Sequence, residues 1–190
     1  MTKSIPTLNE WMQGQKILAI ACAFLSIIPL LMIMCCIKMA RKVPTNYLLL
    51  SALTGLETFM LMYLTSTYRG TSVVVAAGMT LGITIALTIY AFYTETDFTV
   101  WSNAILIVSL VSLMMCIAWI FVPANSWWHH LIAGVFVLVY TFYIIWHTQL
   151  IVGGRGEELK LDDYVIGATL LYLDIIYLFI NVMTLMGGKN

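Results

Sequence analysis

The sequence has 190 residues, of which 62% are hydrophobic and only 9% carry a charge, and its mean hydropathy is +0.96. A soluble domain has about 45–50% apolar and about 25% charged residues, so this composition excludes a soluble enzyme and predicts an integral membrane protein. Nine Lys and Arg residues balance nine Asp and Glu residues. Without a basic excess the chain offers no surface for phosphates, which excludes nucleic acid as a partner.

Six apolar segments follow one another along the chain, each long enough for a membrane-spanning helix of about 20 residues. Their approximate limits are residues 17–37, 44–68, 71–93, 98–122, 127–152 and 164–186. The connections between them are too short to hold a soluble domain. The sequence therefore predicts an all-α fold, in which six transmembrane helices form one polytopic bundle over residues 1–190 with the lipid bilayer around it.

The loop after the first segment is basic, since it contains Lys38, Arg41 and Lys42. Short basic loops face the cytosol, or the matrix in a mitochondrial membrane, under the positive-inside rule. We expect this loop on that side of the membrane and both termini on the opposite side.

Three ionisable side chains interrupt the apolar segments: Glu57 in the second, His147 in the fifth and Asp174 in the sixth. A charge at the centre of a bilayer costs about 2.5–3.5 kcal/mol even on lenient insertion scales, so such residues usually have a function. We expect all three to face the bundle interior as ion-pathway or pH-sensing residues. The competing interpretations are a protonated carboxyl that only joins two helices, and a histidine that is only hydrogen-bonded structure.

Other chemistry is not indicated by the sequence motifs. His129 and His130 are adjacent, so on a helix they point about 100° apart and cannot hold one metal ion together. Neither a His-Glu-x-x-His nor a Gly-x-Ser-x-Gly motif occurs. The four cysteines lie in apolar stretches, which does not predict a disulfide framework. We expect no catalysis, no cofactor and no metal site beyond a cation that Asp174 could contact.

Five short motifs occur in order along most of the chain. They are Pro44-Thr45-Asn46 with Glu57, Tyr90-Ala91 with Thr96-Asp97-Phe98-Thr99, His147-Thr148-Gln149-Leu150-Ile151 with Gly153-Gly154, Asp163-Tyr164, and Leu171-Tyr172-Leu173-Asp174-Ile175-Ile176 with Leu178-Phe179. Each motif alone is weak, but five in order at suitable spacing are fairly specific. Together they resemble the transmembrane Bax inhibitor motif family, which includes the Bax inhibitor and lifeguard proteins.

The resemblance implies a helical bundle around a carboxylate-bearing helix, and a pH-sensitive calcium leak across intracellular or bacterial membranes. In the family, an aspartate pair from the last two helices is associated with this leak. Asp174 matches the second member of the pair, whereas His147 stands where the family has the first. The family usually has seven spans, and the span without a counterpart here is the first.

Histidine in place of aspartate changes the chemistry that this pair can support. Calcium takes oxygen ligands, whereas imidazole suits transition metals and titrates near neutral pH. We therefore expect proton-linked behaviour to survive the replacement better than calcium permeation. Counting about 1.5 Å per residue from the helix ends, His147 lies about 8 Å deep and Asp174 about 15 Å deep. The two side chains are expected to meet only if the helix ends are staggered.

Two functions stay open at this stage. The first is a pH-sensitive calcium or proton leak, in which Glu57 and Asp174 carry the cation and His147 is the proton-sensitive gate. The second is a non-transporting structural subunit that keeps the fold and binds other membrane subunits in a larger complex. The expected location is an intracellular membrane, either that of the endoplasmic reticulum or Golgi, or the mitochondrial inner membrane.

Overall fold

The computed structural model describes residues 10–121, 127–153, 156 and 158–188, and the side chains of residues 113 and 116–121 lie outside this description. Almost all described residues are helical, and they form no β-strand. The helices are α1 (Lys16–Cys35), α2 (Ile37–Ala40), α3 (Thr45–Ser66), α4 (Gly70–Tyr93), α5 (Ser102–Phe121), α6 (Trp127–Val152) and α7 (Tyr164–Met186). Residues 10–14 are also helical, and 3-10 turns precede α5 (Thr99–Trp101) and α7 (Leu161–Asp163). The predicted all-α membrane bundle is confirmed.

Five of these helices are long and apolar enough to cross a membrane: α1, α3, α4, α6, and α7 with the 3-10 turn before it. They coincide with five of the six predicted segments. The segment predicted at residues 98–122 contains α5, and its apolar stretch with described side chains, Thr99–Ser112, is shorter than a span. The sixth span, and one domain over residues 1–190, stay predictions.

The first of two compact units comprises Met1–Val73 together with Gly188–Asn190. Within it, α1 and α3 pack along each other. The buried residues of α1 recur three, four or seven positions apart, which places them on one helix face: Ala19, Ser26, Pro29 and Ile33. Asn46, Leu53 and Glu57 form a similar buried stripe on α3. Each stripe therefore combines apolar residues with a polar one.

The second unit comprises Val74–Gly187, and its core is the antiparallel pair of α6 and α7. Two glycines mark the register of this pair. A Cβ atom on Gly167 would lie 3.0 Å from Ile151 Cγ1, and one on Gly134 would lie 3.7 Å from Leu185 Cδ2. Small residues let membrane helices approach closely. Gly167 therefore allows the start of α7 to pack against the end of α6.

Candidate functional site

The candidate site of the second unit is a hydrogen-bonded pair of ionisable side chains, one from each of its two central helices. His147 Nδ1 on α6 lies 2.5 Å from Asp174 Oδ2 on α7. Only 8% of His147 and 3% of Asp174 is exposed. The prediction that both side chains face inward is therefore confirmed, whereas their role as ion-pathway or pH-sensing residues stays a prediction.

The ends of α6 and α7 are staggered, which is the condition that the sequence analysis set for this contact. Taking Gly167 as level with Ile151, Tyr164 lies three residues before that level and Val152 only one residue beyond it. Helix α7 therefore begins about two residues, or about 3 Å, outside the end of α6. This offset removes part of the difference in depth that was expected between the two side chains.

The directions of the two side chains close the remaining distance. From the level of Gly167 and Ile151, Asp174 lies seven residues along α7 and His147 four residues back along α6, which leaves a difference of about 4.5 Å. Helical side chains lean towards the N-terminus of their own helix. Because α6 and α7 are antiparallel, His147 and Asp174 lean towards each other.

Aromatic rings surround the imidazole of this pair. The rings of Trp146 and Tyr143 have their centroids 4.8 Å and 5.8 Å from that of His147. The Tyr143 hydroxyl in turn lies 2.8 Å from Ser109 Oγ of α5. The imidazole therefore lies against two aromatic rings of its own helix, one of which contacts α5 through its hydroxyl.

Glu57 forms a separate site within the first unit. Its carboxylate Oε1 lies 2.8 Å from the Ser26 hydroxyl of α1, and 2% of the residue is exposed. The same hydroxyl lies 2.8 Å from the Ala23 carbonyl, so it can donate its proton to one acceptor at a time. The inward orientation predicted for Glu57 is confirmed. Ser26 was missed, although a hydroxyl in an otherwise apolar span is the signal that could have found it.

Gln149 joins α6 to the segment that leads from α4 to α5. The residue is fully buried. Its Oε1 accepts the Phe98 N–H at 2.9 Å, and its Nε2 donates to the Thr96 carbonyl at 3.0 Å and to the Ala91 carbonyl at 3.4 Å. Backbone groups at this depth need a partner within the protein. One amide side chain thus provides a partner for three backbone groups.

Asp97 extends the same cluster to the connection between α6 and α7. Its Oδ1 accepts the Thr99 N–H at 2.9 Å and the Thr99 hydroxyl at 2.6 Å. Its Oδ2 accepts the Gly156 N–H at 3.1 Å. Two of the sequence motifs therefore meet in one hydrogen-bonded cluster. Asp97 and Gln149 were predicted only as members of sequence motifs, without a role, although a carboxylate just before a helix start is a known capping signal.

Among the described side chains, too few potential metal ligands lie together to form a metal centre. Among them, no group of three or more His, Cys, Asp or Glu residues lies together in a way that could hold a metal ion. His147 and Asp174 provide one nitrogen and one carboxylate, whereas calcium takes six to eight oxygen ligands. The pair alone therefore provides fewer ligands than calcium takes.

Comparison with known proteins identifies the family. The family model described as "Inhibitor of apoptosis-promoting Bax1" matches residues 4–190. Protein lifeguard 3 of Homo sapiens is 31% identical over 167 residues, which are 86% of this chain and 54% of that protein. The corresponding Mus musculus protein is 28% identical over 159 residues, 82% of this chain and 52% of that protein.

Bax inhibitor 1 of Schizosaccharomyces pombe is 29% identical over 183 residues, which are 96% of this chain and 66% of that protein. The chain thus spans between about half and two thirds of the length of these relatives. It belongs to the family of inhibitors of apoptosis-promoting Bax1, and the resemblance inferred from its motifs is confirmed. It is therefore a multi-pass membrane protein of the Bax inhibitor family.

Replacing Gln149 by leucine should destabilise the protein by about 1–3 kcal/mol, because buried backbone groups lose their hydrogen-bond partner. The measurement is thermal unfolding of the full chain in detergent micelles. Gln13→Leu is the matched control, since it removes one partly buried bond, from Gln13 Nε2 to the Ser66 carbonyl at 2.9 Å. An equal loss of thermal stability in the two variants would contradict the role assigned to Gln149.

A double-mutant cycle on His147 and Asp174 should reveal strong coupling. His147→Leu or Asp174→Leu alone leaves the other ionisable group buried without its partner, which costs about 3–5 kcal/mol. The double variant should lose clearly less stability than the two single variants lose together, because it contains no unpartnered ionisable group at this site. Thermal unfolding in one detergent at one pH measures all four proteins. Strictly additive losses would show that the two side chains do not interact.

Proposed function

We propose that this member of the Bax inhibitor family is a pH-sensitive cation leak, controlled by the His147–Asp174 pair of its second unit. The observation that carries the proposal is the buried 2.5 Å contact between two titratable side chains on membrane-spanning helices. Ionisable residues inside membranes commonly mark proton relays and ion pathways. The proposed location is an intracellular membrane, that of the endoplasmic reticulum or Golgi, or the mitochondrial inner membrane.

The pair would keep the path closed while the imidazole is protonated and the carboxylate is ionised. Opposite charges attract far more strongly in low-dielectric surroundings than in water. This attraction would hold α6 and α7 together at the depth of Asp174. Uptake of a proton by the Asp174 carboxylate would remove the attraction and let water reach the pair, so that protons could cross. The leak would therefore increase on acidification.

Protons are a better-supported cargo than calcium. His147 and Asp174 can each exchange a proton, whereas the described residues include no third His, Cys, Asp or Glu that joins them in a metal-binding group. Glu57 has less support for a role in the leak, because its bond to Ser26 is a feature of the first unit alone. We place the gate at His147 and Asp174, and assign Glu57 the weaker role of binding a passing cation.

Flux through liposomes that contain the purified full chain tests the proposal, with a pH dye and a calcium dye as reporters. Asp174→Asn should abolish the increase on acidification, because its amide cannot take up a proton. His147→Asp should raise calcium flux relative to proton flux, because it provides two carboxylates. Asp162→Asn is the matched control, since Asp162 is exposed in the 3-10 turn before α7. No flux at any pH, or unchanged flux in Asp174→Asn, would refute the leak.

The second candidate function is a structural subunit that transports nothing. It is favoured by the same carboxyl, because Asp174 is buried and already bonded to a neighbouring helix. Native gel electrophoresis of solubilised membranes distinguishes the two candidates when read with the flux result. A band much larger than the 21.4 kDa chain with its detergent, together with no flux, would favour the structural subunit. A band of the monomer size would count against it.

A further inference from the structure

We propose that Cys35 and Cys36 are a site of S-acylation, at which fatty acyl groups are transferred to the thiols from fatty acyl-coenzyme A. Both thiols are free and exposed. They are adjacent in sequence, with Cys35 the last residue of α1 and Cys36 the residue that separates α1 from α2. No part of the proposed leak uses either residue, so this inference is independent of it.

The length of α1 places these thiols at a membrane boundary. The helix runs over 20 residues from Lys16 to Cys35, so it is about 30 Å long and matches the thickness of the hydrocarbon core. If Lys16 lies at one boundary, Cys35 and Cys36 lie at the other. A thioester-linked acyl chain at that depth can enter the hydrocarbon directly. Cysteines next to a membrane are the usual targets of reversible S-acylation.

The backbone at Cys36 makes this boundary accessible. Cys36 departs from helical geometry, with φ −105° and ψ 68°, and its N–H bonds to the Met32 carbonyl at 3.1 Å. The helix therefore ends with a capped break. Residues 35–38 are all exposed. An acyl-transferring enzyme can thus reach both thiols without unfolding α1.

The charges next to the two cysteines predict that the thiols lie on the side of the membrane on which the acyl donor occurs. Lys38, Arg41 and Lys42 follow the two cysteines and are exposed. In a membrane of the endoplasmic reticulum or Golgi, a short basic loop faces the cytosol, where acyl-coenzyme A is available. Basic residues at that surface are also attracted to anionic lipid headgroups. An acyl chain together with a basic patch forms a two-part attachment to the membrane surface.

The proposed transfer requires no oxidant or reductant. The cysteine sulfur forms a new thioester bond to the acyl carbonyl carbon, and the bond between that carbon and the coenzyme A sulfur breaks. Coenzyme A leaves as a thiolate and takes up the proton that the cysteine thiol released. Each thiol can accept one acyl group, so the site holds up to two.

An acyl-exchange assay on the full chain expressed in eukaryotic cells tests the site. Free thiols are blocked with N-ethylmaleimide, thioesters are cleaved with hydroxylamine, and the released thiols are tagged with a polyethylene glycol maleimide. The wild-type chain should show a hydroxylamine-dependent increase in mass of one or two tags. The variant Cys35→Ser/Cys36→Ser should lose the whole increase.

The other two cysteines provide the matched control. Cys22 is a half-buried thiol within α1, and the side chain of Cys116 lies outside the described residues. The variant Cys22→Ser/Cys116→Ser should therefore keep the wild-type increase, and Cys35→Ala/Cys36→Ala should repeat the loss if the blots show equal amounts of protein. No hydroxylamine-dependent tag in the wild type, a tag that persists in the Cys35/Cys36 variants, or one lost in the Cys22/Cys116 control would overturn the proposal.

Discussion

A carboxyl group inside a membrane helix depends on a partner from a neighbouring helix, because the lipid around it can solvate neither its charge nor its hydrogen bonds. The structure meets this requirement once in each compact unit. Asp174 of α7 contacts His147 of α6, and Glu57 of α3 contacts Ser26 of α1. Rotation of any of these helices would expose a polar group to lipid. The two contacts therefore fix which helix faces can pack together.

Hydropathy predicted most of the helices because each needs about 20 apolar residues to cross the membrane. It was less accurate at the helix ends. The first span was predicted to end at residue 37, whereas α1 ends at Cys35 and the chain departs from helical geometry at Cys36. All residues from Met32 to Ile37 are apolar or cysteine, so hydropathy alone cannot detect a backbone break there. This two-residue difference decides whether the thiols lie within a span or at its boundary.

The cost of burying a charge predicted that Glu57, His147 and Asp174 face inward, but it did not predict their partners. Depth counting alone separated His147 from Asp174, because contact depends on helix stagger and on the lean of both side chains. Ser26 and Gln149 were missed for a different reason. A single hydroxyl or amide in an apolar helix marks a polar position, but it does not tell which group the side chain bonds to.

The two carboxyl contacts differ in how they respond to a proton. The Ser26 hydroxyl can donate to an ionised Glu57 or accept from a protonated one, so this hydrogen bond can exist in both states. A protonated imidazole has two N–H donors and no acceptor, so its strong attraction to Asp174 depends on the negative charge of the carboxylate. In the proposed gate, neutralising the carboxylate removes this attraction. Under the proposed function, acid would therefore weaken the contact between α6 and α7 more than the contact between α1 and α3. Within this chain, the chemistry of the two partners places the expected pH sensitivity in the second unit.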